Sequence, residues 1–313
     1  MTSADNNNGL ASKESATFFL NQTLDQAEAY LAEAQRASPA LPLILGEGAF
    51  HNGGCSVGGC DSFGSSLYYL DALGKLSELG HEAFFRQSFV GGNCTLHLLP
   101  HNVRIAACLT VSWTACLLWS SGTDALADTD TLEPRPDYYT AVLFQRLMGT
   151  RVLPVRVSSV DPDLHMYAHC ARIGGSAAAE RPGTPAWEVN VGEGDITFAF
   201  LNRSPHKSFD VTLLADMEAD SGRTPSPINS ATSARAGAGV VSRSEFHLSS
   251  ANRSDVFGSQ VLLNGALLKM ESWAMLPRLA PQVVRGNAPL HVGSQTVGFA
   301  ILHGAGAKVC LPT

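Results

Sequence analysis

A single carboxylate stands between an apolar strand-like run and a glycine-rich loop in Leu43 to Gly54, LILGEGAFHNGG. The carboxyl end of a strand is where an α/β barrel points its catalytic groups, and a glutamate there can attack as a nucleophile or move a proton. Glu47 is therefore the first candidate catalytic residue; its alternative role is to cap the next helix or pair with a surface arginine. Gly53 and Gly54, with Gly58 and Gly59, would let backbone N–H groups approach a ligand closely, because glycine lacks a Cβ. No Gly-Lys-Ser/Thr follows, so this is not a phosphate-binding loop. Arg86 and Gln87 lie inside a second strand-like run that leads to Gly91-Gly92-Asn93, the other candidate edge of a site. Polar groups in a buried strand need partners, so Gln87 reads as a ligand contact and Arg86 as a residue satisfying the interior.

The ten histidines are scattered, with no local Ser-His-Asp or HExxH arrangement. Asp71, Glu78 and Glu82 fall on or just beyond a helical pattern and read as solvated. Of seven cysteines, Cys55 and Cys60 are five apart and the others isolated, so no metal site and no cofactor is expected. Cys170 and Cys310 could pair if the terminal strand docks beside the run holding Cys170, which would suit an oxidising compartment.

The elements that would position these groups follow from periodicity. Leu20, Leu24, Ala27, Leu31 and Ala34 make one apolar stripe of a helix over residues 12 to 36. Leu43 to Leu45 reads as a strand buried on both faces, Phe63, Leu67, Leu70 and Leu73 as a helix from a Ser62 cap to Gly80, and Glu82 to Val90 as a second strand. That order is the rhythm of α/β units with a parallel sheet. Residues 94 to 130 break it and read as an insertion, whose apolar stretch Ile105 to Trp119 is short for a membrane span. A third helix runs from Pro136 to Gly149. From Thr150 the texture turns to short β runs, Arg151–Val157, Leu164–Ala171, Asp195–Leu201, Phe209–Leu214, Gln260–Leu263 and Thr296–Leu302, as in an antiparallel sandwich. The stretch 220 to 238 reads as a long loop.

With 313 residues, 45% hydrophobic and 16% charged, the chain can bury one large core or two ordinary ones. A net charge of −7 and no basic stripe argue against nucleic acid as a partner. Asn-x-Ser/Thr sequons at Asn21, Asn93, Asn202 and Asn252 would fit secretion, whereas the first residues, MTSADNNNGLASKES, do not read as a signal peptide.

The runs LILGEGAFHNGG, FGSSLYYLDALGKLSELGHEAFFRQSFVGGN and PDYYTAVLFQRLMGTRVL resemble, in order, the last strand-helix units of the barrel of the heparanase-like glycoside hydrolases, family 79. MYAHC, GDITFAFLN, QVLLNGALLKM with MLPRL, and AKVC resemble that family's β-sandwich. The resemblance implies an α/β plus all-β fold: the final units of an incomplete (β/α)8 TIM barrel over residues 1–149, with the insertion at 94–130, then an antiparallel β-sandwich over 150–313. It implies Glu47 as nucleophile of a retaining hydrolase, Gly53, Gly54, Gln87, Gly92 and Asn93 lining the sugar site, and a Cys170 to Cys310 disulfide. It implies as partner a glycosaminoglycan or other glucuronic-acid-containing polysaccharide, and an extracellular, lysosomal or membrane-associated setting.

The chain departs from that pattern in three places. The family's acid/base glutamate sits in an Asn-Glu-Pro motif on an earlier strand, and no such motif occurs in this sequence. The earlier strand-helix units have no counterpart, and a barrel left so would show an apolar sheet with raw edges. Cys94 follows Gly92-Asn93 where the family has tyrosine, and the insertion then separates it from TLEPRPDYY, as translated intron would. The expectation is a fragment of a hydrolase whose remaining barrel units come from another chain or the rest of the gene, with a non-catalytic glycan-binding protein as the alternative.

Overall fold

The computed structural model describes residues 28–38, 42–48, 59–86, 89–90, 125–128, 130–156, 161–173, 189–213, 242–252, 255–270, 276–286 and 288–312, with Glu47 and Gly48 described in backbone only. Residues 28–37 are helical (α1); the rest of the helix expected over 12–36, nearly all of the 94–130 insertion and the 220–238 stretch lie outside the described residues. None of the described helices is long and apolar enough to cross a membrane.

Two strands, β1 (Leu43–Gly48) and β2 (His81–Arg86), pair in parallel across the helix α2 (Phe63–Glu78), which is the α/β unit the periodicity predicted. The expectation that β1 is buried on both faces does not hold. Leu45 and Phe84 are register partners, and Phe84 packs on Tyr69 of α2 with ring centroids 5.6 Å apart. Ile44 and Phe85 are more than half exposed, because among the described residues these two strands form a sheet by themselves.

Ser62 occupies the N-cap position of α2 as expected, but its hydroxyl donates to the Gly59 carbonyl and not to the helix. The first helical N–H groups need other acceptors. Phe63 and Gly64 donate to the carbonyls of Gly258 and Val256, both at 2.9 Å, so a loop of the β region caps the helix. The third helix, α3 (Pro136–Leu147), starts on proline and passes straight into β3 (Met148–Leu153), earlier than the strand expected from Arg151. Its last carbonyls are taken by the sheet: Thr197 Oγ1 donates to Leu147 O at 3.0 Å and Arg172 Nη1 to Gln145 O at 2.7 Å.

The β region is built on one antiparallel sheet. Its strands β3, β4 (Leu164–Ala171), β5 (Ile196–Asn202), β12 (Thr296–His303), β7 (Ser242–Ser250), β8 (Val261–Leu263) and β9 (Ala266–Leu267) lie side by side in that order, and β10 (Gln282–Arg285) also pairs with β7. A separate pair, β6 (Phe209–Val211) with β11 (Leu290–Val292), lies on one face. Side chains alternate across a strand, and each face of this sheet has its own core. Tyr167, Ala199, Leu201, Phe246, Val297, Phe299 and Ile301 pack with Phe63, Leu67, Leu70, Leu143 and Leu147 of the helices. Met166, Ala168, Phe198, Phe200, Ala300 and Leu302 pack with Leu290 and Val292 beneath β11. Burying one such side chain contributes about 1.5–3 kcal/mol, and the core that the helices share with the sheet holds the two together. Gly74 sets their approach: a Cβ there would lie 2.1 Å from the Tyr167 ring.

Several polar groups inside this region are paired. Asp71 of α2, expected to be solvated, is fully buried, and His165 Nδ1 and the Tyr167 hydroxyl both donate to its Oδ1 at 2.6 Å. Asn202 is buried, its amide donating to Lys207 O at 2.7 Å and Gly293 O at 2.8 Å, so the sequon there is closed in the folded chain. Cys170 and Cys310 are joined by a disulfide spanning 140 residues. Loss of a native disulfide costs about 2–5 kcal/mol. The Cys170→Ser, Cys310→Ser double variant is expected to lose that much in urea unfolding, and an unchanged midpoint would show that the terminal turn contributes nothing.

Strand β7 carries a polar chain through the sheet. Arg243 Nε donates to Glu245 Oε1 at 2.6 Å, and His247 Nε2 donates to Glu245 Oε2 at 2.8 Å. Burial alone would raise the Glu245 carboxyl, but these two donors outweigh it and hold it below the ordinary value of 4.5. Asp195 is likewise held below 3.8: burial opposes, and hydrogen bonds from His303 and the Gly192 and Gly304 N–H groups prevail. A carboxyl with a depressed folded pKa stabilises above its unfolded value and loses that contribution as pH falls through the folded one. The urea midpoint should therefore drop as pH falls below about 4.5, and Glu245→Gln should flatten the drop. A midpoint independent of pH there would contradict the pairing.

Candidate active site

Glu47 is the fifth of six residues of β1, at the carboxyl end of a strand paired in parallel. The register shifts between the Leu45–Phe84 and Gly48–Arg86 pairs, so an irregularity of the β-bulge kind falls on the interval holding Glu47. Bulges recur beside active sites, where they re-aim one side chain against its neighbours.

Opposite Gly48, Arg86 turns to the helix side of the sheet. Its Nη2 donates to Asp137 Oδ2 at 2.9 Å, with the two side chains 3% and 0% exposed. Its guanidinium also lies 5.8 Å from the centroid of the Tyr69 ring. Burial pushes the Asp137 carboxyl up, against the pull of the Arg86 charge. The same burial, with the Asp137 charge, pushes the Tyr69 phenol up, so tyrosine stays neutral beside the pair. Arg86 is therefore an interior residue, the role its place in the strand suggested, and it ties the end of β2 to the first turn of α3 beside the strand that bears Glu47.

Beyond β2 the backbone makes two isolated bridges. Val90 pairs in parallel with Ala127, whose N–H donates to Phe89 O at 2.9 Å, and Ala127 also pairs with Pro134. Phe89 packs edge-on against Tyr138 at 5.9 Å. Residues 125–127, inside the stretch expected to be an insertion, are thus buried and pair with the backbone that follows β2. Cys60 is wholly buried with Tyr68, Tyr69, Ala72 and Leu126, and is disulfide-bonded.

Of the residues expected at the site, the backbone of Glu47 is placed as above, while Gly53, Gly54, Gln87, Gly92 and Asn93 lie outside the described residues. Sequence reasoning missed Asp137. A carboxylate just after a helix-starting proline reads as a partner of the helix dipole, and nothing local to it points to an arginine 51 residues away.

No family model matches the chain. Among curated proteins it is 27% identical over 273 residues to heparanase-like protein 1 of Arabidopsis thaliana, covering 84% of this chain and 40% of that protein. It is 25% identical over 291 residues to baicalin-beta-D-glucuronidase of Scutellaria baicalensis, covering 92% and 41%. It is 24% identical over 310 residues to heparanase of Mus musculus, covering 97% and 45%. The chain spans less than half the length of these relatives. Among solved structures, a GH51 alpha-L-arabinofuranosidase from Thermotoga petrophila aligns with a TM-score of 0.48 at 10% identity, covering 90% of this chain and 49% of that one, a likeness too slight to carry an argument.

Proposed function

We propose that this chain, a relative of the heparanase-like glycoside hydrolases, supplies the nucleophile and the β-sandwich to a retaining hydrolase acting on a glucuronic-acid-containing glycan. The reading rests on one observation above others: Glu47 stands one residue from the end of a parallel strand, at an irregular step in the ladder, with a buried arginine-carboxylate pair fixing the neighbouring strand end. Retention requires a second carboxyl group about 5 Å from the nucleophile to protonate the leaving oxygen, then to activate water against the glycosyl-enzyme. This chain has no Asn-Glu-Pro motif, so in this reading that group and the strands that close a barrel come from sequence outside these 313 residues.

In this reading residues 1–149 are the closing units of a (β/α)8 barrel and 150–313 the sandwich that braces them, and Gly53, Gly54, Gln87, Gly92 and Asn93 line the sugar site. The disulfides at Cys60 and between Cys170 and Cys310 fit an oxidising compartment, extracellular or lysosomal.

The absence of an Asn-Glu-Pro motif favours a second reading, a sandwich-based protein that binds glycan without cutting it. Sequencing the full transcript across the start codon and the 94 to 130 segment, then assaying its product on glucuronide-bearing oligosaccharides, separates the two. Upstream barrel units, and cleavage that keeps the anomeric configuration, support the hydrolase. Saccharide binding with no cleavage by the full product leaves the binding protein.

A further inference from the structure

A Ser-His-Asp relay that is not local in sequence is assembled at one end of the large sheet. Ser244 of β7 and His303 of β12 stand on adjacent strands, two pairs from each other along the ladder, and the Ser244 Oγ lies 2.8 Å from His303 Nε2. His303 Nδ1 lies 3.2 Å from Asp195 Oδ2, just before β5. A carboxylate only accepts, so Nδ1 carries a hydrogen; in the reactive arrangement an unprotonated Nε2 accepts and the serine hydroxyl donates. Asp195 is itself held, Gly304 N–H donating to Oδ1 at 2.8 Å and Gly192 N–H to Oδ2 at 2.9 Å. Asp195 and Ser244 are buried, and the His303 side chain is 21% exposed. A buried acid, a partly exposed imidazole and an adjacent hydroxyl are the parts of an activated serine nucleophile, recognised by geometry and not by sequence order.

We propose that Ser244 is a reactive serine, activated by His303 and oriented through Asp195, that takes an acyl or phosphonyl group from small activated electrophiles reaching it beside the imidazole. In the step, the Oγ proton passes to His303 Nε2 as Oγ bonds to the carbonyl carbon, the bond to the leaving alkoxide breaks, and the imidazolium returns the proton to that leaving oxygen. The backbone on both sides of Ser244 is engaged by β12 and β10. An oxyanion hole of free N–H groups is therefore not formed there by the strand, and the expected chemistry is one acylation per chain, with slow release.

The test uses the 313-residue chain and does not depend on the glycosidase reading. The folded protein is incubated with an alkyl fluorophosphonate, which loses fluoride as Oγ bonds to phosphorus, and the adduct is mapped by peptide mass spectrometry; the urea-unfolded chain is treated in parallel. The expected result is a single phosphonyl adduct on Ser244, formed at least tenfold faster in the folded chain and lost in Ser244→Ala and in His303→Gln. An unmodified Ser244 in the folded chain, or equal labelling after unfolding, would overturn the proposal.

Discussion

Replacing Glu47 by glutamine in the full-length product is expected to lower the rate of glycoside cleavage by at least about a thousandfold, with little change in affinity for saccharide. The amide keeps the size of the side chain and removes the anionic oxygen that would bond to the anomeric carbon. The loss should fall on kcat, because a nucleophile contributes to the transition state more than to the bound ground state. Added azide, applied to Glu47→Ala where truncation leaves room for a small anion, gives the result a second arm. A small anion can stand in for the missing carboxylate and yield the glycosyl azide of inverted configuration, as expected where a retaining nucleophile has been removed. Unimpaired cleavage by Glu47→Gln would assign the nucleophile elsewhere.

The second large effect is expected at the pair behind that strand end. Asp137→Leu removes the carboxylate facing a guanidinium that is 3% exposed, and breaking a buried ion pair from one side costs about 3–5 kcal/mol. The double variant Arg86→Met, Asp137→Leu replaces both charges by apolar groups of similar volume and should recover most of that loss, since the desolvation of two charges offsets much of their attraction. Urea unfolding of the wild type, both single variants and the double variant completes the cycle. If the double variant is as unstable as the singles, the pair is not what holds β2 to α3.

Much of this fold is legible in the sequence where one physical signal dominates. β4, β5 and β12 are apolar runs of strand length and fall within a residue of their expected bounds. The helices α2 and α3 show their stripes and stop signals. Strand β7 was not legible, although it lies inside the sheet: SRSEFHLSS has only Phe246 and Leu248 to mark it, and its polar groups are acceptable because Arg243, Glu245 and His247 pair along the strand while Asn264 and His303 reach it from other elements. β10 and β11 are short and mostly supported by partners far along the chain.

Asp71 shows the same limit from the helix side. It falls in the apolar stripe between Leu70 and Gly74, where a charge reads as an exposed exception, and its donors come from β4, 94 and 96 residues away. At the candidate site the strand-end position of Glu47 could be read from the apolar run and the glycines after it. The irregular ladder step and the Asp137 partner of Arg86 could not, because both depend on register between separate segments.

The most direct test of the central claim is covalent trapping. The full-length product is treated with a 2-deoxy-2-fluoro-glucuronosyl fluoride, whose fluorine slows hydrolysis of the glycosyl-enzyme so that it accumulates, and the labelled peptide is sequenced by mass spectrometry. The account predicts a time-dependent loss of activity with the sugar esterified to Glu47, in the peptide containing LILGEG. A sugar carried by any other carboxylate in an active preparation would contradict it.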